Sequence, residues 1–180
     1  LYSDEAAHFD GTNWTLYIFD NIPGFSNFYC NEITYDANGT VLIGGRAFFS
    51  PTTNYCLATF DGTNWQLINS GISGSSVGAI YAEPGGSIWL GSGATFNGQF
   101  GLVEYDGSNW SIYSLANGTY PIEEVHDLAQ DANGLIWAAG LDHGLVSFDP
   151  ANGNFVQYDN PANPLLEGTF REIATDPSSG

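Results

Sequence analysis

Apolar and polar positions along this chain alternate in short runs of about five residues. "TVLIG" at 40–44, "SIWLG" at 87–91 and "LIWAA" at 135–139 form one set. "CLATF" at 56–60, "GLVEY" at 101–105 and "GLVSF" at 144–148 form another. Runs this short, rich in β-branched and aromatic residues, predict strands. Between them stand "DANG", "EPGG", "DGTN" and "DGSN". Asn-Gly, Asp-Gly and Gly-Gly supply the positive φ that tight turns between antiparallel strands need. No stretch sustains a helical period, so the chain reads as all-β.

The runs repeat. "FDGTNW" occurs at 9–14 and again at 60–65, and "YDGSNW" follows at 105–110. The aromatic before Asp-Gly recurs at Phe148, where the turn is longer ("FDPANGNF") and Phe155 replaces the tryptophan. Between these anchors lie "EITYDANGTVLIGG" at 32–45, "AIYAEPGGSIWLGSG" at 79–93 and "DLAQDANGLIWAAG" at 127–140, with a fourth copy, "EIATDPSSG", from 172. Periods of ~40–50 residues with a recurring tryptophan mark propeller blades. Each period divides into four strands, and the hexapeptide is the third turn plus the start of the outer strand. Phe9 and Trp14 then pack across the turn.

The expected architecture is an all-β propeller with three complete four-stranded blades, at about 28–68, 77–113 and 125–158, and partial blades at 1–17 and 170–180. Joining the two ends into a four-bladed ring would leave the shared blade without its second strand and expose unpaired backbone. The expectation is therefore part of a ring of roughly six to eight blades. Trp14, Trp65, Trp89, Trp110 and Trp137 are expected to be largely buried between blades.

The string V-x-x-I-x-x-D-x-x-G-x-I-W-x-G, followed by G-L-x-x-F-D-G and N-W, resembles the two-component-regulator type of propeller repeat. "VHDLAQDANGLIWAAGLDHGLVSFD" at 125–149 is the best copy, and the resemblance covers nearly the whole chain. It departs at "YCLATF" near residue 56 and at Leu42, which stands where Trp89 and Trp137 stand in the other blades. The resemblance implies a propeller of bacterial sensor ectodomains or of large secreted and surface proteins of Bacteroidetes-like bacteria. It implies an extracellular or cell-surface location, with the periplasm as the alternative. One fold serves many functions, so the function has to be read from the site.

Propeller geometry sorts the connections into two faces. Turns after the first and third strands are short and nearly identical between blades. Connections after the second and fourth strands are longer and differ in every blade. They carry Phe48, Phe49, Tyr55, Phe96, Phe100 and Tyr120, which read either as a stacking platform for a sugar or peptide or as caps on the blade cores. Asn31, His126 and Arg171 share one blade position, at the start of the inner strand, and are followed by Glu32, Asp127 and Glu172. They read either as a polar ring for a ligand or cation or as solvated channel lining. Asp142 and His143 lie in the tightest varied loop. The ligand-binding candidates are thus the six loop aromatics with His126, Asp127 and Arg171.

Composition narrows the partners. The chain has 180 residues, 20 acidic residues and only two basic ones, Arg46 and Arg171, for a formal net charge of −18. That field repels phosphate, so no nucleic-acid partner is expected and anionic membranes are disfavoured. No apolar run is long enough to span a bilayer. The partners expected are a glycan or protein at the varied face and the remaining blades of the ring. Cys30 and Cys56 fit no metal spacing and leave both a disulfide and two thiols open. The Asp-Ala-Asn-Gly turns lack the third ligand and distal glutamate of a calcium loop, and no metal or cofactor is called for. The Asn-x-Ser/Thr tripeptides at 13, 38, 109 and 117 match glycosylation acceptors, but turn chemistry accounts for most of them. Catalytic residues are expected to be absent, since Ser, His and Asp are scattered and no nucleophile elbow exists. A propeller enzyme of lyase or lactonase type, using Glu124, His126 and Asp127, is the alternative.

Overall fold

The structure is a computed structural model that describes residues 5–19, 28–47, 57–68, 76–92, 101–114, 118, 124–140, 144–158 and 168–176, with side chains at all of these except 46 and 47. Two strands, β1 (Glu5–Phe9) and β2 (Trp14–Ile18), pair as a hairpin. Three four-stranded antiparallel meanders follow. The first is β3 (Phe28–Tyr35), β4 (Val41–Ala47), β5 (Leu57–Phe60) and β6 (Trp65–Ile68). The second is β7 (Val77–Ala82), β8 (Ile88–Ser92), β9 (Leu102–Tyr105) and β10 (Trp110–Tyr113). The third is β11 (Val125–Gln130), β12 (Ile136–Gly140), β13 (Leu145–Asp149) and β14 (Asn154–Gln157).

The repeated hexapeptide builds one turn three times. Asp10 Oδ1 accepts the backbone N–H groups of Thr12 and Asn13 at 2.8 and 2.7 Å. Asp61 does the same for Thr63 and Asn64, and Asp106 for Ser108 and Asn109. Gly11, Gly62 and Gly107 hold φ of +96°, +95° and +94°. The flanking aromatics are paired residues of adjacent strands. Their ring centroids lie 5.0 Å apart for Phe9–Trp14, 4.8 Å for Phe60–Trp65 and 4.5 Å for Tyr105–Trp110. The inner turns repeat as well. Asp36 Oδ1 and Asp131 Oδ1 each accept two backbone N–H groups. Trp137 Nε1 donates to Asp131 Oδ2 at 2.9 Å, and Trp89 Nε1 to Glu83 Oε1 at 3.0 Å.

Blades pack inner strand to inner strand: β7 lies against β3 and β4, and β11 against β7 and β8. Glycine sets how close they come. A Cβ on Gly44 would stand 2.5 Å from Val77 Cγ1, and one on Gly91 would stand 2.5 Å from Val125 Cγ1. This approach buries Ile80 to 7% exposure and Leu128 to 5%. At the outer end, the fourth strand of one blade meets the aromatic hairpin of the next. Tyr17 lies 5.0 Å from Phe60, and Tyr113 lies 4.5 Å from Phe148.

The expectation that the tryptophans are largely buried is corrected at Trp14. Trp89 is fully buried; Trp65, Trp110 and Trp137 are half-buried; Trp14 is 72% exposed. Burial follows the neighbour. Trp65 is covered by Tyr17 and Phe19 from the hairpin before it, whereas no described residue stands in that place over Trp14. Residues 170–176, expected as an inner strand, form no ladder among the described residues. They are held to the third blade by Phe170 N donating to Gly140 O at 3.1 Å and Thr175 Oγ1 donating to Gln130 O at 2.9 Å.

Two glycine substitutions should therefore fail for different reasons. Gly91→Ala drives a methyl into Val125 and should cost about 1–3 kcal/mol as overpacking, partly recovered in Gly91→Ala/Val125→Ala. Gly62→Val meets nothing within 4 Å of its Cβ. It should still cost about 1–3 kcal/mol from backbone strain, with no second-site recovery from Val125→Ala. Chemical melts of the four variants check both, and equal recovery in the two backgrounds would refute the distinction.

Candidate functional site at the inner-strand starts

Each inner strand carries a bulge near its start. The pairing of β3 with β4 shifts between Cys30 and Glu32, that of β7 with β8 between Val77 and Ala79, and that of β11 with β12 between Val125 and Asp127. The extra residues are Asn31, Gly78 and His126. A bulge breaks the alternation of the strand and re-aims a side chain. Here it turns one residue per blade toward a common cleft of about 600 Å³. Asn31, Gly78, His126 and Arg171 all line it, together with Glu32, Asp127 and Glu172. The position shared by Asn31, His126 and Arg171 is thus one place in space as well as in the repeat.

The members differ in what they are committed to. Asn31 Nδ2 donates to Ser76 Oγ at 3.0 Å and to the carbonyl of Val77 at 2.8 Å, which ties the first blade to the second. Asp127 Oδ1 accepts the N–H of Leu128 and Oδ2 that of Ile173, both at 2.8 Å. Both its oxygens are engaged, and Asp127 bridges the third blade to the segment after it. Among the described residues, then, Asn31 clamps the first inner strand to the start of the second, and Asp127 clamps the third to residues 170–176. His126 is different. Its Nε2 is buried without a hydrogen-bond partner, and Glu124 Oε1 stands 3.8 Å away. Gly78 contributes no side chain.

Glu32 lies half-buried beside this group. Its carboxyl is pushed above the ordinary glutamate range, chiefly by burial and further by the negative charge of Asp127, while the N–H of Ile33 pulls the other way. With the Arg171 guanidinium, the His126 ring and the carboxylates of Glu32 and Glu172, the cleft offers donors and acceptors together. That suits a polar, hydrogen-bonding ligand. Among the described residues, no group of three or more His, Cys, Asp or Glu side chains is placed to hold a metal ion.

Phe48, Phe49, Tyr55, Phe96, Phe100 and Tyr120 lie outside the described residues, as do Cys56, Asp142 and His143. Cys30 Sγ lies 3.4 Å from the carbonyl of Glu32. Sequence reasoning missed Ser76, the partner of Asn31, and Gly78, whose place in the repeat is hidden by its lack of a side chain.

The fold has many solved counterparts. The extracellular domain of BT3049 from B. thetaiotaomicron, assigned as a hybrid two component system, superposes with a TM-score of 0.65 at 20% identity, over 90% of this chain and 21% of that one. The luciferin-regenerating enzyme matches at 0.57 and 15% identity, over 88% and 58%. PorZ, a bacterial surface component of the type-IX secretion system of Porphyromonas gingivalis, matches at 0.56 and 15% identity, over 87% and 24%. The chain is a β-propeller, and it spans about a fifth of the BT3049 domain. No family model matches it, and no characterised protein matches it by sequence.

The raised Glu32 carboxyl has a signed consequence. A carboxyl whose value is higher in the folded state favours folding while it is protonated. That contribution is complete below the ordinary glutamate value and is lost as pH rises through the raised one. Glu32→Gln should remove this dependence, so its stability relative to the parent should rise across that window. Parallel urea melts from pH 3 to pH 7 test it, and a constant difference between the two proteins would refute it.

Proposed function

We propose that this chain is part of an extracellular or cell-surface β-propeller, a non-catalytic interaction module that binds a glycan or a protein through the face where the inner strands begin. One observation carries this reading: bulges at the inner-strand starts place Asn31, Gly78 and His126 on a single cleft that Arg171, at the same repeat position, also lines. The opposite turns are spent on their own hydrogen bonds, as Asp10, Asp61 and Asp106 illustrate. On their sequence positions alone, Phe48, Phe49, Tyr55, Phe96, Phe100 and Tyr120 of the varied connections are included in the proposed surface. Within the cleft, His126 and Arg171 are the ligand-contacting groups, with Asp127 supporting them from its clamp.

The likeness to the BT3049 extracellular domain favours a second reading, in which the same face serves a sensor ectodomain; an oligosaccharide is the ligand proposed for it. A membrane span and kinase region elsewhere in the polypeptide would mark the sensor; secretion-sorting or adhesin modules would mark the surface protein.

The test is a paired melt and binding assay against neutral and acidic oligosaccharides. His126→Ala, Arg171→Ala, Phe48→Ala and Phe96→Ala should keep stability within about 0.5 kcal/mol, and at least one should lose about 2 kcal/mol or more of binding. Gly62→Val should lose binding only in proportion to its unfolded fraction. If the folded Gly62→Val protein loses binding while the four others bind normally, the face has been assigned backwards.

A further inference from the structure

The charged groups of the cleft are not equally committed. Asp127 gives both carboxylate oxygens to backbone N–H groups. His126 stands 3.8 Å from Glu124 Oε1, so a positive charge on its ring is already answered. Three groups are left. Arg171 and Glu172 are exposed and make no ion pair among the described residues, although the chain holds 20 acidic residues and only two basic ones. Glu32 is half-buried, and its side chain accepts only the N–H of Ile33 among the described residues. Burial and the charge of Asp127 oppose its ionised form. These groups stand at two poles of one cleft: Glu32 on the first blade, Arg171 and Glu172 on the segment after the third. Between the poles lie the inner strands of the second and third blades. The second presents Gly78 there, which puts no side chain in the way.

We propose that the cleft takes a short extended segment of a protein partner that carries one basic and one acidic side chain, the acidic one on Arg171 and the basic one on Glu32. This rests on the ligand face proposed above and chooses between its two kinds of partner. Charge complementarity makes the choice. A neutral glycan answers neither pole, and a uronate answers only Arg171. No aromatic ring stands among the described residues that line the cleft, so a sugar finds no stacking surface there. A peptide brings both charges at an adjustable spacing. Packed sheets stand on the order of 10 Å apart and an extended chain rises about 3.3 Å per residue, so the two side chains belong about three or more residues apart. A single α-amino acid carries its charges too close together to reach both poles. The guanidinium of Arg171 matches a carboxylate with two parallel N–H bonds. Glu172 beside it repels further negative charge, which limits the acidic side chains to one.

The probe is a phage-displayed library of random linear dodecapeptides, selected on the intact chain and counter-selected on Arg171→Glu. Recovered sequences should pair a Lys or Arg with an Asp or Glu about three or more residues away. The acidic residue is the diagnostic one, because a chain of net charge −18 attracts basic residues without any site. The leading peptide, synthesised, should bind about fivefold more weakly to Arg171→Ala and to Glu32→Gln, with the amide spectra of both variants still dispersed. Neutralising its acidic residue should cost the same factor on the parent chain and little more on Arg171→Ala, as a double-mutant cycle between paired groups requires. Enrichment of basic residues alone, or affinity indifferent to Arg171→Ala, would overturn the proposal. So would an oligosaccharide that binds and is lost on Arg171→Ala while no peptide is recovered, a result that leaves the ligand face standing. If neither kind of probe binds, the inference and the face fall together.

Discussion

Blade-to-blade approach at the second-strand glycine governs the rest of this molecule. A four-stranded sheet has two faces, and each needs apolar cover from a neighbour. At Gly44 and Gly91 the absence of a side chain lets Val77 and Val125 come within reach of the backbone. The separate sheets then share continuous apolar cores. One joins Leu42 and Leu57 of the first blade to Ile80 and Leu90 of the second; another joins Trp89 and Leu102 of the second to Leu128 and Phe148 of the third. The polar clamps depend on the same spacing. Asn31 reaches Ser76, and Tyr81 and Glu83 reach Gln130, because the inner strands are this close.

That closeness also shapes the candidate cleft. Inner strands packed side by side bring their starts to one place, and a bulge in each turns one extra residue toward it. The blade supplies a position, and the sequence is then free to fill it with Asn31, Gly78, His126 or Arg171. The turns at the far end have no such freedom. Asp, Gly and the flanking aromatics must each be present for the hairpin to close, which is why the letters repeat there and vary here.

Much of this was legible in the sequence, because the signals are local. The hexapeptide announced its turn, its positive φ and the stacking of Phe60 on Trp65. Strand starts at Trp14, Trp65 and Trp110 followed from the same six letters. What was not legible is non-local. The exposure of Trp14 depends on which residues cover it from outside its own hairpin, and no property of Trp14 encodes that. The bulges leave no local mark, since Asn31, Gly78 and His126 share neither size nor polarity. Asp127 could be placed at the cleft by its repeat position, but that both its oxygens are taken by Leu128 and Ile173 appears only when the strands are side by side.

The acidic residues are held in different ways. Asp10, Asp61 and Asp106 are held below the ordinary aspartate range by hydrogen bonds from their own turns, in Asp61 first from the N–H of Asn64 and then from that of Thr63. At Asp131 burial opposes the ionised form, yet the Trp137 indole and the N–H of Leu135 and Asn133 still bring it down. These carboxylates favour folding when charged, and their contribution is lost as pH falls through their lowered values. Glu32 has the opposite sign, because burial and the neighbouring Asp127 oppose its charge. Negative charge is therefore a fastener at these turn aspartates and a strain at Glu32, and at Glu104, where burial and the charges of Glu83 and Asp106 also oppose it.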